Sequence, residues 1–355
     1  MASTYVSTLL NSALYKASQK DGFQTFETRG SVYGALDAAW SQRNDLLPAT
    51  TIETLKKSSV QVVNIDVFKK EDAGTGTARK CSGSGKGATA RIPLTWSTII
   101  EEFEMSDLDF AQNNLNKEEI FQNRFEQRML SIYTRLDTAI TAFLESNYTQ
   151  GSGDNFTFYN NASQVPLDSW SLAANQAAFW VNDAMADMFK NDLNADLIRM
   201  VGDANMMGVW KTLGAQGPQN GVNTAFQLAG INGRFTNRIA NNTGIKATAY
   251  MYEQGMFSLL TWINALEKKG RDIGTDEWTM FKDTRYGFDI GMKVKRECVD
   301  NSADIDGAQA DFKESFVMAL DYATPIAYSS DSNSGIYKFE LDRDNSILSG
   351  SGSYV

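Results

Sequence analysis

The residues with the clearest chemical potential form a glycine-rich run with one lysine, GSGKGAT, at positions 83–89. Backbone amides in such loops cradle phosphate groups. A P-loop needs glycine five places before its Gly-Lys pair and Ser or Thr directly after it, whereas this chain has Lys80 and Gly87 there. A looser dinucleotide pattern is present from Gly85 to Ala90, but an extended run follows it where a helix is required. The run therefore predicts no nucleotide site and no cofactor.

Acidic clusters offer calcium binding or acid-base catalysis. The run at 300–307, DNSADIDG, resembles part of a calcium loop, but Ser302 holds the first ligand position and Lys313 the last, where a bidentate glutamate belongs. Adjacent carboxylates such as Glu118 and Glu119 could assist hydrolysis, but 43 acidic residues produce such pairs by chance. A carboxylate-dependent hydrolase is therefore the least favoured function class.

The composition excludes most catalytic and metal-binding classes. Histidine is absent from the 355 residues, which removes Ser-His-Asp and Cys-His nucleophiles and the usual zinc and haem ligand sets. Cys81 and Cys298 are too few for a disulfide framework or a four-cysteine zinc site. The net charge of -10 disfavours a surface built to grip nucleic acid, and no apolar stretch approaches the roughly 20 residues that span a membrane. We expect no enzymatic activity, no metal and no membrane partner.

Charge is distributed unevenly, in a way that suits contact between copies of the chain. A glycine-rich loop at 69–88 carries a net charge of +3, and a run of five carboxylates follows it. Copies with opposite charges at two places attract in one head-to-tail orientation, although charge runs also commonly face solvent. The predicted assembly residues are Lys69, Lys70, Arg79, Lys80 and Lys86 in the basic loop, and Glu101, Glu102, Glu104, Asp107 and Asp109 in the acidic strip.

Two segments with a period of two flank the basic loop, at 63–67 and 91–96, and predict a two-stranded antiparallel arm. Downstream, Asn116 followed three positions later by Glu119 predicts the start of a helix. Apolar residues then recur every three or four positions without Gly or Pro until Gly151, so the helix should reach about 45 Å. Its predicted core residues are Phe121, Phe125, Ile132, Leu136, Ile140 and Phe143.

The rest of the chain alternates between helix and strand and then returns to strands, which predicts an α/β lobe within an α+β fold. We expect helices at 172–193, 203–213 and 256–268, with Gly214 ending the second, and strands at 196–202, 245–250, 286–298 and 312–328.

This order of elements resembles the major capsid proteins of tailed bacteriophages, which have the Hong Kong 97 capsid fold that encapsulins share. The resemblance is carried by the architecture from about residue 31 to residue 328 and by local stretches. These are RIPLTWSTIIEEFEM, LIRMVGDANMMGVWKTLGAQG and GIKATAYMYEQGMFSLLTWI. It implies an N-terminal arm at 1–58, an E-loop with flanking strands at 59–104, a P-domain with a spine helix at 105–169, an A-domain at 170–284, and return strands with a C-terminal tail at 285–355.

The resemblance implies a structural protein that assembles with itself, as hexamers and pentamers, into an icosahedral shell around double-stranded DNA. Portal, scaffolding or decoration proteins would be further partners, packaged DNA a non-specific one, and the virion the location. We expect the arm and the long helix to lack a satisfactory partner within one molecule. The alternatives are an encapsulin-like shell and another phage structural protein, from a tail or a decoration layer.

Overall fold

A computed structural model shows helices and sheets in an α+β arrangement. It describes residues 9–11, 13, 32–43, 52–53, 64–68, 89–106, 117–148, 170–172, 185, 188–189, 193–216, 227–228, 231–241, 245–264, 267–268, 270, 272–273, 276–301, 309–327 and 335–342.

The helix predicted from the 3.6-residue period is present as α2, Lys117–Asn147, with 31 residues. The proposed cap residue Asn116 lies outside the described part of the chain. One face of α2 is apolar and buried, as its spacing requires. Phe121, Phe125, Ile132, Leu136 and Ile140 are buried, and Phe143 is partly buried against the same core.

The buried face of α2 packs on a six-stranded sheet. Along this sheet, β10 (Asp272–Ile273), β11 (Asp276–Lys282), β12 (Asp289–Asn301), β13 (Gln309–Ala323) and β3 (Ser97–Ser106) are neighbours in that order, and β9 (Leu260–Trp262) pairs with β13. All these pairings are antiparallel. In β13 alternate residues are buried, namely Phe316, Met318 and Leu320, in agreement with the strand predicted at 312–328.

Aromatic rings fill the space between α2 and this sheet. The rings of Phe103 and Phe316 are stacked with centroids 4.8 Å apart, and Phe121 meets Phe316 edge-on at 5.1 Å. Phe125 contacts Phe281 at 5.3 Å. Offset and edge-on ring pairs add about 0.5–1.5 kcal/mol each to the stability that burial provides. We therefore correct the expectation that the long helix lacks a partner within one molecule, since its apolar face is buried by its own chain.

The second six-stranded sheet forms the α/β lobe. Its strand order is β4 (Trp170–Leu172), β14 (Ile336–Asp342), β8 (Ile245–Glu253), β5 (Ile198–Gly202), β7 (Ile231–Phe235) and β6 (Gln227–Leu228). Helix α3, Ala204–Gln216, lies between β5 and β7 in the chain, and those two strands are parallel. Asp203 accepts a hydrogen bond from the Met206 amide at 2.6 Å and so caps the N-terminus of α3.

A buried carboxylate on α2 connects this lobe to the N-terminal helix α1, Gly34–Ser41. Asp137 has 0% exposure. It accepts a hydrogen bond from the Leu36 amide at 2.8 Å, another from the Thr236 hydroxyl, and lies 3.4 Å from a guanidinium nitrogen of Arg238. Because Leu36 lies in the first turn of α1, the carboxylate satisfies a free amide at a helix N-terminus.

The predicted antiparallel arm is present as β1, Asn64–Phe68, paired with β2, Thr89–Pro93. These two strands form a sheet of their own within the described part of the chain. The second strand ends at Pro93, earlier than the alternation through Trp96 suggested, because proline cannot donate a ladder hydrogen bond. No described helix has both the length and the apolar character needed to cross a bilayer.

Three predictions about helices in the second half of the chain need correction. The helix at 256–268 is wrong, because 260–262 form β9 against β13 and only Glu267 and Lys268 are helical among the residues described there. The helix at 172–193 overlaps the end of β4, with helical residues at 185, 188 and 189. Helix α3 continues past Gly214 to Gln216. In β9, pairing with a long strand overrides an apolar pattern that also fits a helix.

Leu136→Ala tests the packing of α2. The side chain is completely buried, so we expect the free energy of unfolding to fall by about 2–4 kcal/mol through lost burial and a residual cavity. Thr138→Ala, at an exposed position two residues away, should change it by less than about 0.5 kcal/mol. Urea denaturation measures both, and equal effects would contradict the assigned helix orientation.

Candidate assembly surface

Strand β3 divides the predicted acidic strip between its two faces. Exposure alternates along Ser97–Ser106, so that Glu101 points towards α2 while Glu102 and Glu104 point outwards. Glu101 is only 3% exposed. It is therefore removed from the set of surface contacts, because a side chain enclosed by its own chain cannot meet a neighbour. Asp107 and Asp109 lie outside the described residues, as do all five residues of the basic loop.

Glu101 joins β3 to the long helix. Its carboxylate lies 2.8 Å from the Arg135 Nε and 3.5 Å from an Arg128 nitrogen, and it accepts a hydrogen bond from the Ser131 hydroxyl at 2.7 Å. These three partners lie at positions 128, 131 and 135 of α2, spaced by three and four residues. They therefore share one helix face, and the contact fixes the position of β3 against the helix.

Two arginines of α2 also reach the free edge of β3. Arg124 donates a hydrogen bond to the backbone carbonyl of Glu104, and Arg135 donates one to the carbonyl of Ile100 at 3.3 Å. In the sheet β3 is the last strand, so these carbonyls would otherwise lack a partner from a further strand. The arginines thus satisfy part of the open edge.

The outer face of the sheet, on the side away from α2, is partly apolar. Ile100 is 47% and Met280 46% exposed, and Glu102 and Glu104 lie on the same side of β3 as Ile100. A cleft of about 270 Å³ opens on this face. Its lining residues are Thr98, Ile100, Ile263, Asn264, Glu267, Trp278, Lys293, Val317, Ala319 and Asp321.

Glu267 is the buried acid of this cleft. A Cβ atom added at Gly291 would lie 2.0 Å from its carboxylate oxygen, so only glycine lets the acid approach the sheet this closely. Burial raises the pKa of Glu267 to about 7, hydrogen bonding with Asn264 opposes the rise, and the neighbouring Asp321 adds to it. Glu267 could not be recognised from the sequence, because its position depends on β9, which replaces the predicted helix.

Three other buried carboxyl groups with raised pKa values lie at joints between elements and not in the cleft. Burial raises the pKa of Asp137, Asp203 and Asp283, and hydrogen bonds from neighbouring groups oppose each rise. Asp283 accepts a hydrogen bond from the Tyr133 hydroxyl, and burial also raises the pKa of Tyr133. The hydrogen bonds to these acids connect elements of the fold. The described residues contain no group of three acids or cysteines arranged to bind a metal.

Comparison with known proteins gives structural likenesses only. No protein-family model and no curated protein matches the chain. A structure from Mycobacterium phage Che8 is similar at 12% identity and a TM-score of 0.49, over 83% of this chain and 89% of that one. The capsid of an empty GTA particle is similar at 14% identity and a TM-score of 0.44, over 84% and 92%. The capsid of Ralstonia phage GP4 gives 8% identity and 0.44, over 81% and 85%.

Neutralising Glu101 and Glu104 separately tests the division of the acidic strip. Glu101→Gln should lower the free energy of unfolding by about 1–3 kcal/mol, because it weakens charge-assisted hydrogen bonds with α2. Glu104→Gln should change it by less than about 0.5 kcal/mol, since that side chain is exposed. Urea denaturation of the subunit compares the two, and a larger effect at Glu104 would contradict the assigned faces.

The raised pKa of Glu267 predicts a specific pH dependence of stability. Between the ordinary value of 4.5 and about 7, the folded chain keeps a proton that the unfolded chain has released, so this acid's contribution to stability falls as pH rises through that range. Glu267→Gln should remove about 2 kcal/mol of the difference in unfolding free energy between pH 5 and pH 8. The contributions of other buried carboxyl groups to stability also fall as pH rises. The measurement is therefore the difference in unfolding free energy between variant and wild type, from urea titrations at each pH.

Proposed function

We propose that this chain is the major capsid protein of a tailed bacteriophage, with the Hong Kong 97 capsid fold. The observation that carries the proposal is the two-stranded ribbon of β1 and β2, which pairs only with itself among the described strands. Its connecting loop carries a net charge of +3 on a chain whose total is -10. An isolated hairpin is marginally stable in water, so the ribbon needs a surface outside its own two strands.

A neighbouring subunit offers that surface in the form of the outer sheet face. Glu102 and Glu104 face outwards there beside the half-exposed Ile100. Acidic groups beside apolar area suit the lysine and arginine side chains of the basic loop, because each combines a positive charge with a long alkyl stem. In this proposal the acidic strip comprises Glu102 and Glu104 with Asp107 and Asp109, while Glu101 serves the internal fold.

The parts of the capsid fold are assigned on this basis. The ribbon and its loop are the E-loop, α2 is the spine helix of the P-domain, the first sheet belongs to the P-domain, and the second sheet with α3 is the A-domain. The residues before the ribbon form the N-terminal arm. A head-to-tail contact between loop and sheet closes into rings when the rotation between copies allows it, as hexamers and pentamers of a shell require.

Assembly then follows from repetition of weak contacts. Each contact is modest because exposed charge pairs contribute little individually. A subunit that touches several neighbours gains from all of them together, since each bound contact raises the effective concentration of the next. The shell is stable while single contacts are still reversible. The chain would reside in the virion, enclosing double-stranded DNA through non-specific contacts, with portal, scaffolding or decoration proteins as further partners.

Reversing two charges of the basic loop tests the proposal. Lys80→Glu with Lys86→Glu should reduce the yield of closed particles at least about tenfold, because the loop would then repel the acidic face. The fold of the subunit should be unchanged by circular dichroism. Size-exclusion chromatography and negative-stain electron microscopy measure the yield.

The control is Lys211→Glu, a charge reversal at an exposed position on α3, outside both the loop and the first sheet. It should assemble normally. Tubes, or monomers only, from the wild-type chain at high concentration would contradict the shell proposal, and so would closed particles from the loop variant at the wild-type yield.

A further inference from the structure

The second sheet has a different core on each of its faces. Successive residues of a strand point to opposite faces, so β5, β8 and β14 contribute side chains to both. Towards α2, Val201, Tyr250, Tyr252 and Ile336 belong to the first core, which α2 shares with the first sheet. On the other face α3 lies against β5, β7 and β8 and encloses a second core. The buried residues of the second core are Met188, Leu193, Ile198, Met200, Met206, Trp210, Ile231, Ala247, Ala249, Met251, Tyr337 and Phe339.

Methionine is concentrated in the second core. Among the described residues, four of its twelve buried members are methionines, and each of the four has 0% exposure. The first core contains the same number among thirty-four. A methionine side chain is unbranched and flexible, so it fills irregular space in several conformations and specifies one packing less strictly than leucine or isoleucine does. The packing of α3 on the sheet is therefore adjustable.

Two glycines form the sheet surface beneath methionines of the second core. A Cβ atom added at Gly202 of β5 would lie 2.9 Å from Cγ and 3.0 Å from Cβ of Met206, in the first turn of α3. A Cβ atom added at Gly233 of β7 would lie 3.1 Å from Cε of Met200. Because the Cβ of Met206 is bonded to the helix backbone, a side chain at position 202 would require α3 itself to move. Gly202 therefore sets how closely α3 approaches the sheet.

A third glycine lies in the interior of α3, at a place where space does not require it. Gly208 is exposed, and a Cβ atom there would meet no described atom within 4 Å beyond its own helix. Glycine in a helix interior is unfavourable relative to alanine, because its backbone loses more conformational freedom on folding. The effect of Gly208 is to make α3 easier to deform.

The opposite face of the second sheet is held by polar contacts with α2. Thr236, which follows β7, donates a hydrogen bond to Asp137, and Tyr250 of β8 donates one to Glu145. Lys338 Nζ of β14 lies 2.8 Å from the same Glu145. Charge-assisted hydrogen bonds fix a relative position more strictly than apolar contact with methionine does. The sheet is therefore fixed to α2 on one face and has an adjustable layer on the other.

We propose that α3 is a movable element of the subunit, which shifts on the methionine-rich second core while the second sheet keeps its position on α2. The use of this movement rests on the proposed function. A shell of pentamers and hexamers places identical chains in two kinds of surroundings. A helix that shifts by about 1–2 Å lets one fold fit both.

Forcing α3 away from the sheet tests the movement itself. Gly202→Ala requires α3 to shift, and we expect it to raise the equilibrium constant for unfolding by less than about tenfold, because the methionines repack. Met188→Leu, Met200→Leu and Met251→Leu together keep the apolar volume but reduce the flexibility of the layer. In that background the cost of Gly202→Ala should be at least about ten times larger. Urea denaturation measures all four equilibrium constants.

The matched control makes the same three changes in the first core, as Met105→Leu, Met129→Leu and Met292→Leu. In that background Gly202→Ala should cost as little as in the otherwise unchanged chain. A cost above about tenfold in the otherwise unchanged chain, or an equal cost in the two leucine backgrounds, would overturn the movement of α3.

Near-atomic electron microscopy of assembled particles tests the use of the movement. After superposition of the copies on α2, the position of α3 should differ by about 1–2 Å between pentamers and hexamers, while α1 coincides. If α3 coincides in all copies, its role in the shell is overturned and the capsid function stands. If the wild-type chain forms no closed particle, the proposed function is contradicted, and urea denaturation still decides whether α3 moves.

Discussion

The packing of the molecule depends on one buried charge, that of Asp137. A carboxylate in the middle of a 31-residue helix would be expelled to solvent unless its lone pairs were satisfied. Here the partners come from two distant parts of the chain, the first turn of α1 and the segment after β7. Gly34 permits this meeting, because a Cβ atom there would lie 2.2 Å from the Phe235 carbonyl oxygen. Helices α1 and α2 and the second sheet are thereby held in one relative position.

The two faces of the first sheet differ in what they contact. The inner face carries the aromatic contacts with α2 and the Glu101 network, so it determines where the helix lies. No helix like α2 covers the outer face within the described part of the chain, and this face carries acids, partly exposed apolar groups and a cleft. The inner face therefore serves the fold, while the outer face is the one that contacts a neighbouring copy in the proposed function.

Local periodicity was sufficient to predict α2, the ribbon and the long strands β12 and β13, because each has a long repeat of one period. Periodicity gave a wrong prediction where a short apolar segment fits both the helical and the strand repeat. Residues 260–262 became a strand because β13 extends far enough to pair with them. The acidic strip shows a second limit: a strand sends successive residues to opposite faces, so five nearby carboxylates could not all share a surface. The cleft was beyond sequence reasoning, since Glu267, Gly291 and Asp321 meet only through tertiary structure.

The arginines on the edge of β3 have a consequence for the crowded conditions in which many copies of a chain are produced. An unprotected sheet edge is a template on which any extended segment can add, and such growth has no natural end point. Arg124 and Arg135 occupy carbonyls that an incoming strand would need. Uncontrolled fibre-like growth along this edge is thereby disfavoured.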